Sequence, residues 1–574
     1  MTAITPVAGG RLRRSWLPAG VTQYLLWAGG LVLIVGPIVP VVWASLWSTP
    51  LYEAGGGLTV ANYRALFGDP AWWEAVRNSV VFAVLTTVGS VALGTAMAVL
   101  FTRTDLPGLR FFRSALLVPV ILPGLPLILG WTAMYAPAGY VTRWVETHTP
   151  LPIFWDLYSL PGMAMVATGI AAPIVYLLAR SALGAQDASL EMAARSAGAS
   201  PLRTLATVTI PLVRPALLNS SMIVFALSLE VLGLPLILGT SNDIEFISTY
   251  MYDNWLNVYP SQQGLVTAGA VVLLAAVTVL LVARNRLTGD AARFHTVGGK
   301  ATSGSTVKLG RSRWPVFAAT AAYFVAVIVV PLGGLALTAF TTTLTPYVSP
   351  WSVLSTTHFA TVFDDPTLSR SITNSLTIAA VGGALATVAI AALAIVAHRS
   401  AFRYRTSLQY VMVYPRAMPG LVTGMAFFWS FVVLDPTGNI RASLWAIGIA
   451  FAVRSLALGY SAFYPMLASL GEDLDRAART SGADWWTAVK SILFRLLRPA
   501  MAVSFVLMFV AMLGDYDPAV FLVAPGTEVM GLTMLKLWVA GSAGPVAALG
   551  VVQVVITLVV LGIGRALFGV RPGA

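Results

Sequence analysis

The residues of this chain that could do chemistry are few, and their positions carry most of the information. Arg454, Glu230, Asp515, Asp517 and Arg416 fall inside stretches that are otherwise apolar. A charge within a bilayer-spanning segment is costly, so its presence points to a functional role. Two readings are open. The charges form a polar pathway, with Arg454 meeting a negative group on a cargo, or they form an internal ion pair, such as Arg454 with Asp515, that only holds helices together. Covalent and metal chemistry have less to build on. The chain has no cysteine, and its four histidines, His148, His295, His358 and His398, are scattered. No metal site and no catalytic set for a membrane-embedded enzyme is visible. Gly299-Lys300-Ala301-Thr302 faintly echoes a phosphate loop, but the preceding glycine and the leading strand are missing.

A second group of residues has a duplicated spacing. Glu191, Ala193, Ala194 and Gly198 are matched 284 residues later by Asp475, Ala477, Ala478 and Gly482, whereas Pro211 is replaced there by Arg495. Helix formers precede each glycine, and a glycine there ends a helix in the left-handed conformation. Ser200 and Asp484 then stand where an N-cap belongs, with Pro201 suited to the first helical position. The spacing predicts two short helices joined at a glycine bend, the second ending near Pro211 in one copy and Pro499 in the other. The paired alanines leave little side chain to keep another protein away.

The elements that position these residues follow from composition. Of 574 residues, 57% are hydrophobic and 10% charged, and mean hydropathy is +0.80. That balance excludes a water-soluble enzyme and a disordered chain, and implies an all-α polytopic membrane protein. Twelve apolar runs are long enough to span, at about 24–46, 78–101, 114–136, 160–182, 216–238, 264–283, 315–340, 374–397, 409–434, 442–465, 500–523 and 545–567. The first follows Arg11, Arg13 and Arg14 and is too long for a signal-peptide core, so it reads as a retained span. With both termini cytoplasmic, 27 of the 35 Lys and Arg lie on the inner side. This asymmetry accounts for the net charge of +12 through topology, without nucleic acid.

The runs repeat. Phe67-Gly68-Asp69-Pro70 with Asn78-Ser79 returns as Phe363-Asp364-Asp365-Pro366 with Asn374-Ser375, 296 residues on. Pro123-Gly124 returns as Pro419-Gly420 at the same interval. Six spans per half make the repeat parallel, about an axis near the membrane normal. The expected division is a first half over 1–284 (core 76–285), a flexible cytoplasmic linker over 285–313, and a second half over 314–574 (core 374–565).

The duplicated loop resembles the EAA loop of importer-type ABC permeases: Glu-Ala-Ala, three residues, Gly, nine residues, Ile, one residue, Leu-Pro. Ala193, Ala194, Gly198, Ile210 and Pro211 keep parts of that pattern in the first half, as do Ala477, Ala478, Gly482 and Ile492 in the second. The glutamate position holds Met192 and Arg476, with Glu191 and Asp475 one residue earlier. The resemblance implies a type I ABC importer permease fold in a cytoplasmic membrane. It also implies coupling helices that dock on a separate, homodimeric ATPase subunit. ATP is then bound by that partner, with no cofactor in this chain, and an extracytoplasmic solute-binding protein delivers the cargo. The fused arrangement is similar to ferric-iron and thiamine permeases, which places ferric iron first as cargo, with thiamine, a polyamine or a phosphonate as alternatives. A competing reading is a secondary transporter or channel with a proton or sodium dependence centred on Glu230 or Asp515. The duplicated loop has no role in that reading.

Overall fold

The computed structural model describes residues 19–150, 152–186, 188–288, 307–471, 473, 480, 482 and 485–568. Among them, nine helices are continuous and apolar enough to cross a bilayer, and three further helix pairs are bent by more than 40°. Counting each bent pair as one span gives the expected twelve. No strands form among the described residues, only isolated bridges.

The repeated Asp-Pro signature starts the second span of each set. Asp69 accepts the Ala71 N–H at 3.0 Å, and Asp365 accepts Thr367 at 2.7 Å and Leu368 at 3.0 Å. The proline after each aspartate fills the first turn, where a missing N–H costs nothing. The helices that follow are Pro70–Arg103 and Pro366–Arg399. The repeated Asn-Ser also has a structural role. Asn78 donates to the Glu245 carbonyl at 3.0 Å, and Ser79 accepts the Ile247 N–H at 2.9 Å. In the other set Asn374 donates to the Gly526 and Glu528 carbonyls, at 3.0 and 2.9 Å, and Ser375 accepts the Met530 N–H at 2.9 Å. Each pair therefore ties its span to a loop more than 150 residues away.

Four expected spans need correction. The third and ninth bend by 104° between Leu109–Ile121 and Gly124–His148, and by 111° between Arg405–Ala417 and Gly420–Leu434. The cause is the repeated Pro-Gly. The residue before each proline, Leu122 or Met418, is driven to extended backbone (ψ 147° and 112°), and the helix restarts at the glycine. The expected run 216–238 is not one helix either. A span over Leu205–Leu229 stops at Glu230, and a separate short helix occupies Gly233–Leu238. The eleventh is bent by 59° at Leu497 and ends at Gly514 rather than continuing to 523.

The two sets of helices embrace each other. The first span, Gly20–Ser45, packs on Pro366–Arg399 and on both limbs of the ninth. Reciprocally, Gly310–Phe340 packs on Gly124–Tyr135 of the first set. At that contact a Cβ on Gly130 would sit 2.2 Å from the Pro331 carbonyl oxygen, so only glycine allows the approach. Trp429 reaches across to the Thr267 hydroxyl at 3.0 Å, both buried.

Most of the expected linker, 289–306, lies outside the described residues, as does the phosphate-loop echo at 299–302. The linker's last part is ordered against the first set: Val307 donates to the Arg103 carbonyl and Leu309 to the Asp105 carboxylate, each at 2.8 Å.

Candidate functional site

The first duplicated loop is built as its spacing predicts up to Ser200. The helix Ala188–Ser196 ends in paired hydrogen bonds, Ala199 N–H to the Ala194 carbonyl and Gly198 N–H to the Arg195 carbonyl, both 3.0 Å. This closure needs a left-handed residue, and Gly198 has φ +87°. Ser200 accepts the Arg203 N–H at 3.3 Å, and Pro201 opens the next turn. Beyond that the structure differs. The helix does not stop at Pro211; it continues to Leu229 through a wide π-helical turn over Leu205–Thr209. The looser ladder before Pro211 makes room for the ring and for the missing N–H, which would otherwise break the helix.

Glu191 faces inward while its neighbours face out. It is 5% exposed, and Met192 is 52% exposed. Ala193 is exposed and Ala194 half-buried. The Glu191 carboxylate pairs with Arg103 at 3.1 Å and accepts the Thr209 hydroxyl at 3.0 Å. Arg103 also donates to the Leu183 carbonyl at 3.2 Å. One guanidinium thus joins the end of the second span, the end of the fourth and the loop, and the loop in turn is tied to the start of the fifth. A buried ion pair with further hydrogen bonds fixes geometry, and removing one partner leaves the other uncompensated.

In the sequence Arg103 is one of the 27 inner-side charges. Its signal was present: Arg399 stands 296 residues later at the end of the equivalent span. Arg399 makes the matching bonds, to the Leu467 carbonyl at 2.7 Å and to the Leu470 carbonyl. The Trp485 indole donates to the Arg399 carbonyl at 3.1 Å. In this second loop Asp475, Ala477 and Ala478 lie outside the described residues. Gly482 lies within them and is left-handed like Gly198, with φ +82°.

The intramembrane charges form one cluster with a single omission. Arg454, midway along Leu444–Ser469, lies 3.1 Å from Asp517 and 3.6 Å from Glu230, and is bonded directly to Asp515. Glu230 is the residue on which the fifth span stops, and Asp515 that on which the eleventh stops. The Gly420 N–H, at the restart of the ninth span, donates to Glu230 at 3.2 Å. A Cβ on Gly420 would lie 2.6 Å from an Asp517 carboxylate oxygen and 2.8 Å from the Arg454 guanidinium carbon. Glycine is required there by space. The internal pairing considered from sequence is therefore present and larger than expected: three carboxylates share one guanidinium. Arg416 is not part of it. It sits exposed on the turn Tyr414–Ala417, on the other side of the Pro419-Gly420 break. Among the described residues, no group of three His, Cys, Asp or Glu is placed to hold a metal ion.

Comparison with known proteins agrees with this architecture. Residues 90–292 and 390–568 each match the family of binding-protein-dependent transport system inner membrane components. The ferric transport system permease protein FbpB of Actinobacillus pleuropneumoniae is 25% identical over 494 residues, covering 85% of this chain and 70% of that protein. An Fe(3+)-transport system permease protein of Haemophilus influenzae is 22% identical over 524 residues, 88% of this chain and 92% of that protein. A solved bacterial ABC transporter for import of the polysaccharide alginate aligns over 45% of this chain and 96% of its own, at 18% identity and a TM-score of 0.37. With two copies of the family's domain in one polypeptide, this chain belongs to the binding-protein-dependent transport system inner membrane components, as a fused ABC importer permease.

Proposed function

We propose that this permease carries ferric iron across the cytoplasmic membrane, powered by a separate homodimeric ATPase and supplied by an extracytoplasmic solute-binding protein. The cargo reading is supported by two relatives named for ferric transport that align over most of this chain and most of their own length. In this reading residues 1–284 and 314–574 are the two permease halves, 285–313 is the cytoplasmic connection, and both termini face the cytoplasm.

The observation that carries the coupling role is the bend at Gly198, fastened by the Glu191–Arg103 pair to the ends of three spans. A partner pressing on the exposed helix Ala188–Ser196 pushes a lever that is anchored at its base. Ala193, Ala194 and Gly198, with Asp475, Ala477, Ala478 and Gly482 in the second loop, form the docking surfaces. Glu191 serves that surface from beneath, as the anchor. Pro211 sits in the span that the lever moves. ATP binding brings the two ATPase subunits together and the loops with them, and hydrolysis resets the arrangement.

The test is ATP turnover by the reconstituted complex with its binding protein. Iron-loaded binding protein is expected to raise turnover several-fold over the iron-free form. Equal turnover with both forms would remove ferric iron as the cargo.

A further inference from the structure

The cluster around Arg454 is unbalanced in charge. Three carboxylates, Glu230, Asp515 and Asp517, face one guanidinium, a formal charge of −2 at the junction of the two halves. Uncompensated charge in such surroundings is expensive and is relieved by a counter-ion or by a proton. Asp517 is 9% exposed, and one of its carboxylate oxygens is buried with no hydrogen-bond partner, while the other faces Arg454. The side chains of the cluster keep 12–23% of their surface accessible, so it borders open space. Glu230 and Asp515 sit where helices stop and Gly420 where one restarts, and both halves contribute: Glu230 comes from the first, the aspartates, Arg454 and Gly420 from the second.

We propose that Glu230, Asp515 and Asp517 form a transit site for a hard multivalent cation, and that Arg454 occupies it as a tethered counter-ion between passages. Carboxylate oxygens are the ligands such a cation prefers. With the guanidinium in place, the carboxylates do not converge on a metal position. Occupancy therefore requires Arg454 to leave and a cation of higher charge to take over its three partners. The exchange keeps the path closed when empty, because Arg454 bridges the halves through Glu230 at 3.6 Å and the aspartates. It also opens readily from one side. The Glu230 contact is the longest of the three, and separation of the halves stretches it first. The inference rests on the reading that the cargo crosses as a cation, and deepens it by naming the residues that hold it.

The experiment uses the intact permease–ATPase complex in nanodiscs without nucleotide, with Tb3+ as a trivalent hard-cation probe followed by its luminescence. Wild type is expected to bind one Tb3+ that is lost in Glu230→Gln and in Asp517→Asn. Arg454→Gln is expected to bind it at least tenfold more tightly, because the competing cation is gone. Should Arg454→Gln fail to assemble, the two carboxylate variants, which retain Arg454 and two of its acidic partners, still decide whether the site exists. Tb3+ binding unchanged by both carboxylate substitutions overturns the proposal. Loss in those variants with no tightening in an assembled Arg454→Gln overturns the counter-ion role. The cargo reading fails separately: iron-loaded binding protein without effect on ATP turnover, beside a Tb3+ site behaving as described, removes ferric iron and leaves a site for another cation.

Discussion

Arg103 is the residue on which the first coupling loop depends. It pairs with Glu191 in surroundings where both side chains are under 10% exposed. Arg103→Ala leaves the carboxylate buried and unpaired, which costs about 3–5 kcal/mol. The expected result is a lower unfolding temperature and basal ATP turnover that no longer responds to binding protein. Thr209→Val, which removes a single hydrogen bond to Glu191 at 3.0 Å, is expected to cost about 1–3 kcal/mol and to leave coupling in place. A second residue-scale expectation concerns Glu245, in the loop between Gly233–Leu238 and Ile247–Leu256. Burial, and then the charges of Asp253, Asp69 and Glu74, push its carboxyl up to about 7. The folded state holds a proton there that the unfolded chain has released, so stability falls as pH rises from about 4.5 to 7. Glu245→Gln is expected to flatten the unfolding temperature across that window, and an unchanged pH slope would assign the dependence elsewhere.

At the scale of elements, the starts of helices are set by neighbouring residues, yet the repeated Asp-Pro was legible only as a repeat: the spans expected from 78 and 374 start at Pro70 and Pro366, because the polar first turns fall outside the apolar runs. Asp365 caps Pro366–Arg399 through two N–H groups. Asp365→Ala is expected to cost about 1 kcal/mol, seen as a small drop in unfolding temperature. Gly420→Ala is expected to be far worse than an ordinary glycine-to-alanine change, since its Cβ would press on Asp517 and Arg454. The readout is recovery of folded complex. The Gly198 bend and its Ser200 cap were legible because all their partners lie within six residues. The breaks were half legible. Pro123-Gly124 and Pro419-Gly420 announced weak points, but not bends of 104° and 111°. The stop at Glu230 was hidden inside an apolar run, because its partners there, Gly420 and Arg454, lie about 190 and 220 residues away. The passage of the fifth span through Pro211 was missed because a π-helical turn has no sequence mark as plain as a proline.

At the scale of the molecule, the repeat and the twelve apolar runs came from periodicity and length, which local composition records. The mutual embrace did not, because nothing in Gly20–Ser45 says which half it covers. That arrangement makes each half incomplete without the other. Residues 1–284 and 314–574 expressed as two chains are therefore expected to copurify and to be unstable apart. Recovery of a well-folded isolated half would show that the exchanged spans contribute little.

In the function proposed here the bends at Gly198 and Gly482 are sockets for an ATPase. The chain has no cysteine, so a single introduced one reports a single place. Met192→Cys, on the exposed face beside Ala193, is the probe, and Tyr259→Cys, on a residue 99% exposed in the loop before the sixth span, is the control. With a short bifunctional reagent on the assembled complex, Met192→Cys is expected to cross-link to the ATPase subunit, with a yield that changes between nucleotide-free and ATP-bound states. Tyr259→Cys is expected to give none. No cross-link from Met192→Cys in either state, in a complex that still hydrolyses ATP, would show that the Gly198 bend is not an ATPase socket.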